Sequence, residues 1–565
     1  MDKLRNKPFC LDDEAIAWVN NTLASLTIDE KIAQLFCLIA YSSEEGYLSY
    51  LSEGLKVGGI MCRVMPNEEI EKTVSYVQTR SKVPMLISAN LEAGGNGVST
   101  SGSKVGCEMA IAATKNVEYA TTLGRICGKE GRAAGVNWSF APIADIDMNF
   151  RNPITNTRTF GGDPALVASF ASAYIKAVQE EGLAATAKHF PGDGVDERDQ
   201  HLVTSINSLS AEEWDKTYGK IYRECIEAGT KTIMVGHIMQ PAWSKKINPS
   251  LKDEDILPAT LSKEIVTGLL REHLGFEGLV ITDATTMAGM NIAMERRKAV
   301  PQAIACGCDM FLFTKNLEED FAYMKAGYEE GIITAERLDE AVTRILALKA
   351  SLGLHKDRMI PNRETMESLI GCKEHKKLAS LVADESITLV KNKQDVLPIS
   401  AEKYHRVLFY PIDSGEGQMG SGVDLSANHR FMEKLRKQGF DVTEFKPKPG
   451  FEGMMASSEE IKNNYDLIIY SANMATKSNQ TIVRIEWAQP MGANVPIYVE
   501  SVPTIFVSLE NPYHLLDVPR VKTYINTYGS TDIILDSLID KLMGRSPFKG
   551  QSPVDAFCGK WDTRL

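Results

Sequence analysis

The sequence predicts an α/β protein: a (β/α)8 barrel followed by a smaller α/β sandwich domain. Three observations lead there. From about residue 55, short apolar, β-branched runs alternate with amphipathic stretches at helical spacing, a pattern that calls for parallel strands joined by right-handed crossovers. Seven or eight such units occupy roughly 300 residues, which fits a closed barrel better than an open doubly wound sheet. A polar, proline-containing connector, HKDRMIPNRETMESLIG (355–371), then precedes a second α/β rhythm. At 565 residues the chain is too long for one ordinary core. The expected division is a barrel over 1–355, a linker over 356–375 and the second domain over 376–565.

In chain order, the barrel strands read as VGGIMCRV (57–64), PMLISAN (84–90), NWSFAPIADI (137–146), LAATAKHF (183–190), TIMVGHI (232–238), LVITDA (279–284) and DMFLFT (309–314). Helical spacing predicts helices over 67–82, 117–135, 163–182, 212–229, 261–275 and 316–330. Ser210 with Glu213 three residues on has the form of a capping box. A long helical pattern over 333–354 ends the barrel. Beyond it SITLVKN, YHRVLFYPI, FDVTEFK, YDLIIYSAN, PTIFVSL and VKTYINTYG read as strands with helices between.

Composition narrows the class. The chain is 44% hydrophobic and 24% charged, with no apolar run long enough to span a bilayer. A net charge of -12 without a basic patch argues against a nucleic-acid partner. The N-terminus lacks the apolar core of a secretion signal, so the expected location is cytoplasmic. Ten cysteines are scattered, and only Cys306 and Cys308 stand close, without the spacing or companions of a zinc site. Neither a structural metal nor a disulfide is expected. The absence of a Gly-x-Gly-x-x-Gly fingerprint and of a Walker loop weakens nucleotide binding, and the reading is a metabolic enzyme needing no cofactor.

A barrel carries its active site where the strands end at their C-termini. Reactive residue types fill that position strand after strand: Asn90 and Glu92, Asp145 and Asp147, Lys188 and His189, His237, then Asp283. Asp283 follows a buried strand and precedes small residues, the setting for a glycosidase nucleophile or a hydrolase base; a helix cap for 285–294 is the competing structural role. In KHFPGDGVDERDQH (188–201), Asp199 and His201 are two apart. In an extended segment both would point to one side, the carboxylate fixing one imidazole nitrogen while the other faces a substrate. Gly192 and Gly194 would let this loop move as a gate.

These segments resemble the β-N-acetylhexosaminidase branch of glycoside hydrolase family 3. The likeness runs through nearly the whole chain: FAPIADIDMN, RNPITNTRTFGGDP, KHFPG with DQH, and LREHLGFEGLVITD stand in family order and spacing, and ADESITLVKN resembles the family's second domain. The resemblance implies a retaining mechanism with Asp283 as nucleophile and Asp199–His201 as the acid/base dyad. It also implies that Arg158, Lys188 and His189 bind the sugar; Asn90, Glu92, Asp145 and His237 join them as candidate binding residues. Two departures stand out: Asp193 replaces the branch's second His, and ANLEAGGNG (89–97) has Asn90 for the usual Asp and no following Arg.

The resulting expectation is an exo-acting β-N-acetylglucosaminidase working on small chitin- or peptidoglycan-derived glycans. Three alternatives stand beside it: a phosphorylase in which phosphate resolves the covalent intermediate, a β-glucosidase or xylosidase of the same family, and a carbohydrate-binding descendant without catalysis. The sequence leaves the oligomeric state open.

Overall fold

The structure, a computed structural model, describes residues 2–414, 424, 426–447, 455, 457–481, 483–487 and 489–565. Two compact units emerge: one comprises 1–105, 120–149 and 163–376, the other 106–119, 150–162 and 377–565. The segment expected as a linker carries a helix, Arg363–Leu369, and belongs to the first unit.

The first unit is built on strands β1 (Phe36–Ile39), β2 (Gly59–Met61), β3 (Leu86–Ala89), β4 (Trp138–Ser139), β5 (Ala184–Phe190), β7 (Thr232–Val235), β9 (Leu279–Thr282) and β10 (Phe311–Leu312). They form one eight-stranded sheet in the order β10-β1-β2-β3-β4-β5-β7-β9, parallel throughout. A parallel bridge between Ile281 and Met310 joins the two end strands and closes the barrel. A short parallel pair, β6 (Ser205–Ile206) with β8 (Ile238–Met239), lies outside it.

All seven expected barrel runs contain a strand, though NWSFAPIADI contributes only two residues to the ladder and one further bridge, Ile143 to Lys188. The barrel strand missing from the sequence reading is β1. Its run, LFCLIA (35–40), is fully apolar and lies before the alternating pattern becomes regular, so periodicity does not separate it from the preceding helix Ile28–Gln34. The capping box forms as expected at Ser210, but the helix over 212–229 breaks at Thr217 into Ala211–Lys216 and Tyr218–Glu227. Glu264–His273 winds as a π-helix.

The barrel is filled by buried residues of its strands. Trp138 donates its indole N–H to Thr186 and Thr232 on the next two strands, at 2.9 Å each, so its one polar atom is satisfied inside an apolar setting.

The second unit holds a six-stranded sheet, β11 (Thr388–Asn392), β12 (Arg406–Asp413), β13 (Asp441–Glu444), β14 (Leu467–Asn473), β15 (Thr504–Ser508) and β16 (Thr523–Asn526), in the order β11-β16-β15-β14-β12-β13. All pairs are parallel except β11 with β16. Alternate residues feed two cores, as the pleat requires: Val407 and Phe409 join Phe431, Leu435 and Leu538, while Leu408 and Tyr410 join Tyr470, Phe506 and Tyr524.

Candidate active site

Asp283 directly follows β9. Its backbone N–H donates to Val235 at 2.8 Å, and its carboxylate accepts the N–H of Ala284 at 2.7 Å. The helix beyond begins at Ala288 with Met287 as its cap, so Asp283 does not cap it. The side chain is almost fully buried, which alone would raise its pKa. His189, His237 and His201 outweigh burial, with help from the Ala284 N–H, and hold the carboxyl below its ordinary value. The nearest of these nitrogens is His189 Nε2, 3.9 Å from the carboxylate.

His189 ends β5 and is oriented from behind. Asp145 accepts from its backbone N–H at 3.0 Å and pairs with its Nδ1 at 2.7 Å. The same carboxylate accepts the N–H of Asp193 at 2.8 Å. Asp145 is therefore an organiser of the β5 end. Lys188 is buried and bonds Glu92 at 2.8 Å, which joins the ends of β3 and β5. The groups that lower Asp283 are thus histidines, while Lys188 pairs with Glu92. Asn90 sits exposed at the end of β3, and Asp147 is buried beyond β4.

His237 follows β7 and is fully buried. Its Nδ1 lies 2.8 Å from the Thr260 hydroxyl and its Nε2 3.1 Å from the carbonyl of Ala284. Nε2 facing a carbonyl must carry the proton. Burial pushes the ring's pKa down. With both nitrogens occupied, His237 braces the turn after the Asp283 strand.

The stretch after β5 carries Asp199 and His201. It is a turn rather than the extended segment expected, with the N–H groups of Leu202 and Val203 both donating to the carbonyl of Asp199. The pairing nevertheless forms: Asp199 accepts the His201 backbone N–H at 2.8 Å and meets Nδ1 at 2.7 Å. The Asp199 side chain is completely buried while a quarter of the His201 side chain is exposed. Gly192 serves packing here: at φ +119° its missing Cβ would lie 2.0 Å from the Tyr218 ring. Arg158, on the turn Asn156–Arg158, falls in a segment of the second unit. Sequence reasoning passed over Gln200, Thr260 and the bracing role of His237, which have no motif to mark them.

A buried carboxylate kept ionised, an imidazole fixed by a second carboxylate, and barrel-end polar groups around them define a class: a barrel enzyme equipped for nucleophilic displacement with proton transfer. Residues 27–348 match the model of the glycosyl hydrolase family 3 N-terminal domain. A Cellulomonas fimi protein described as a beta-N-acetylglucosaminidase/beta-glucosidase is 55% identical over 565 residues, the whole of both chains. The solved structure of the beta-glucoside phosphorylase BglX is 45% identical with a TM-score of 0.93, covering all of both chains. That of a family 3 beta-N-acetylglucosaminidase from Paenibacillus sp. str. FPU-7 is 26% identical with a TM-score of 0.77, over 95% of this chain and 100% of that one. The chain belongs to glycosyl hydrolase family 3 and is an enzyme of glycosidic-bond cleavage by that membership. Among the described residues, no helix is long and apolar enough to cross a membrane.

Proposed function

We propose that this protein transfers a terminal, non-reducing β-linked N-acetylglucosaminyl or glucosyl residue from a small glycan, through a covalent intermediate on Asp283, to phosphate. The observation that carries the reading is the acid/base: an imidazole fixed at Nδ1 by a fully buried carboxylate, whose Nε2 has no hydrogen-bond partner among the described residues.

In the first step an Asp283 oxygen bonds the anomeric carbon as the bond to the aglycone oxygen breaks. That oxygen takes the proton from His201 Nε2. His201 is then neutral. A carboxylic acid in its place would be an anion at this stage and would repel a phosphate acceptor. In the second step a phosphate oxygen bonds the anomeric carbon, the carbon–Asp283 bond breaks, and His201 recovers a proton from the incoming dihydrogen phosphate. Two inversions leave the sugar phosphate with the donor's β configuration. The names of the two full-length relatives support this choice of donors and acceptor.

Water as the acceptor is the second reading, favoured by relatives described as beta-hexosaminidases, among them one from Pseudoalteromonas piscicida that is 27% identical over 407 residues. Turnover of aryl β-N-acetylglucosaminide and aryl β-glucoside, each with and without phosphate, separates the two. Acceleration by phosphate with a sugar 1-phosphate product supports transfer to phosphate; free sugar at a phosphate-independent rate returns the protein to hydrolysis.

A further inference from the structure

We infer that Gln200, the residue between the two members of the dyad, is a positioning residue that latches the acid/base turn onto the rest of the barrel mouth. This rests on the reading of His201 as acid/base.

Gln200 is completely buried although it sits in a surface turn. Its amide oxygen accepts the backbone N–H of His237 at 2.8 Å, at the end of β7. Its amide nitrogen donates to the Asp193 carboxylate at 3.2 Å, and Asp193 is tied through its own N–H to Asp145. Its carbonyl accepts the N–H of Gly289, beyond β9, at 3.2 Å. One residue thus joins the segments following β5, β7 and β9, which present His201, His237 and Asp283.

The neighbours are shaped to admit it. A Cβ on Gly236 would stand 3.0 Å from the Gln200 amide oxygen, and one on Gly289 would stand 2.4 Å from its carbonyl oxygen. An amide suits the position because it must accept on one side and donate on the other. A carboxylate at residue 200 would accept from His237 equally well but would face the Asp193 carboxylate, with Asp145 behind it and Asp199 adjacent in sequence. Two carboxylates so close do not both ionise readily.

The test measures kcat and KM for glycosides with good and poor leaving groups in Gln200→Ala, Gln200→Glu, Asp193→Asn, the double variant Asp193→Asn/Gln200→Glu, and His201→Ala. A displaced proton donor costs about 10²-fold in rate, so Gln200→Ala loses that much kcat on an alkyl glycoside while KM stays near wild type. The loss shrinks on a dinitrophenyl glycoside, whose departure needs no proton. Gln200→Glu loses activity as pH rises through neutrality, and Asp193→Asn reduces that loss because the Asn amide can donate to the Glu. Equal losses on both leaving groups, or no coupling between positions 193 and 200, overturn the latch. If His201→Ala itself shows no dependence on leaving group, the acid/base reading fails first. A normal His201→Ala result with an unimpaired Gln200→Ala rejects the latch alone.

Discussion

In the proposed mechanism Asp283 and His201 divide the chemistry, and their environments suit the division. Asp283→Asn removes the nucleophile and lowers turnover by about 10⁴-fold or more on every substrate; steady-state rates on an aryl glycoside measure this. His201→Ala costs about 10²–10⁴-fold where the leaving group needs a proton and much less for dinitrophenol. Because the histidines around Asp283 depress its pKa, ionisation persists to unusually low pH. Activity is present above the folded-state pKa and is lost as pH falls through it. The acidic limb of kcat/KM on a dinitrophenyl glycoside therefore lies below 3.8, the ordinary value for an Asp. At this scale the sequence was informative wherever a reactive side chain closes an apolar strand, as at His189 and Asp283. It was silent on bracing: that His237 holds the Ala284 carbonyl depends on a contact between residues 47 positions apart, and no local pattern encodes it.

Among the elements, the N-terminal end of β10 bears a buried charge cluster. Asp309 is fully buried and receives Arg271 at 2.7 Å, Arg337 at 2.6 Å and Arg344 at 3.2 Å. Burial works to raise its pKa, but the three guanidinium groups and the Val280 N–H outweigh it and hold it below the ordinary value. Arg271, partly buried, is pushed down to about 10 by its loss of solvent. Removing the anion leaves cations without their partner inside the protein, so Asp309→Asn destabilises by about 3–5 kcal/mol. Urea unfolding measures that loss, and kcat/KM of the folded variant stays near wild type because this end of a barrel is remote from the catalytic end. A carboxyl depressed in the fold contributes stability above its unfolded pKa and loses that contribution as pH falls through the folded value. The difference between wild type and Asp309→Asn therefore narrows toward acid. The expected strands were found because each is a short apolar run bounded by polar turns. β1 escaped because its run merges with an amphipathic helix, and the helix over 212–229 was overestimated because nothing in WDKTYGK marks the break at Thr217.

For the whole molecule, the two-sheet plan was legible in the sequence's change of rhythm, since each sheet repeats its own alternation. The membership of 106–119 and 150–162 in the second unit was not, because a short loop's allegiance is set by packing partners distant in sequence. Arg158 belongs to that second group, which is why strand-end reasoning alone never reached it. In the proposed mechanism the acceptor is likewise not written in any motif: the glycosyl group on Asp283 can pass to water or to phosphate with the same dyad moving the proton. The central claim, that a His acid/base lets phosphate resolve the Asp283 intermediate, is tested most directly by identifying the product of aryl β-N-acetylglucosaminide turnover in phosphate buffer by phosphorus NMR. The expected product is a sugar 1-phosphate of retained β configuration, formed faster as phosphate is raised and abolished in Asp283→Asn. Free N-acetylglucosamine as sole product, at a rate indifferent to phosphate, would contradict it.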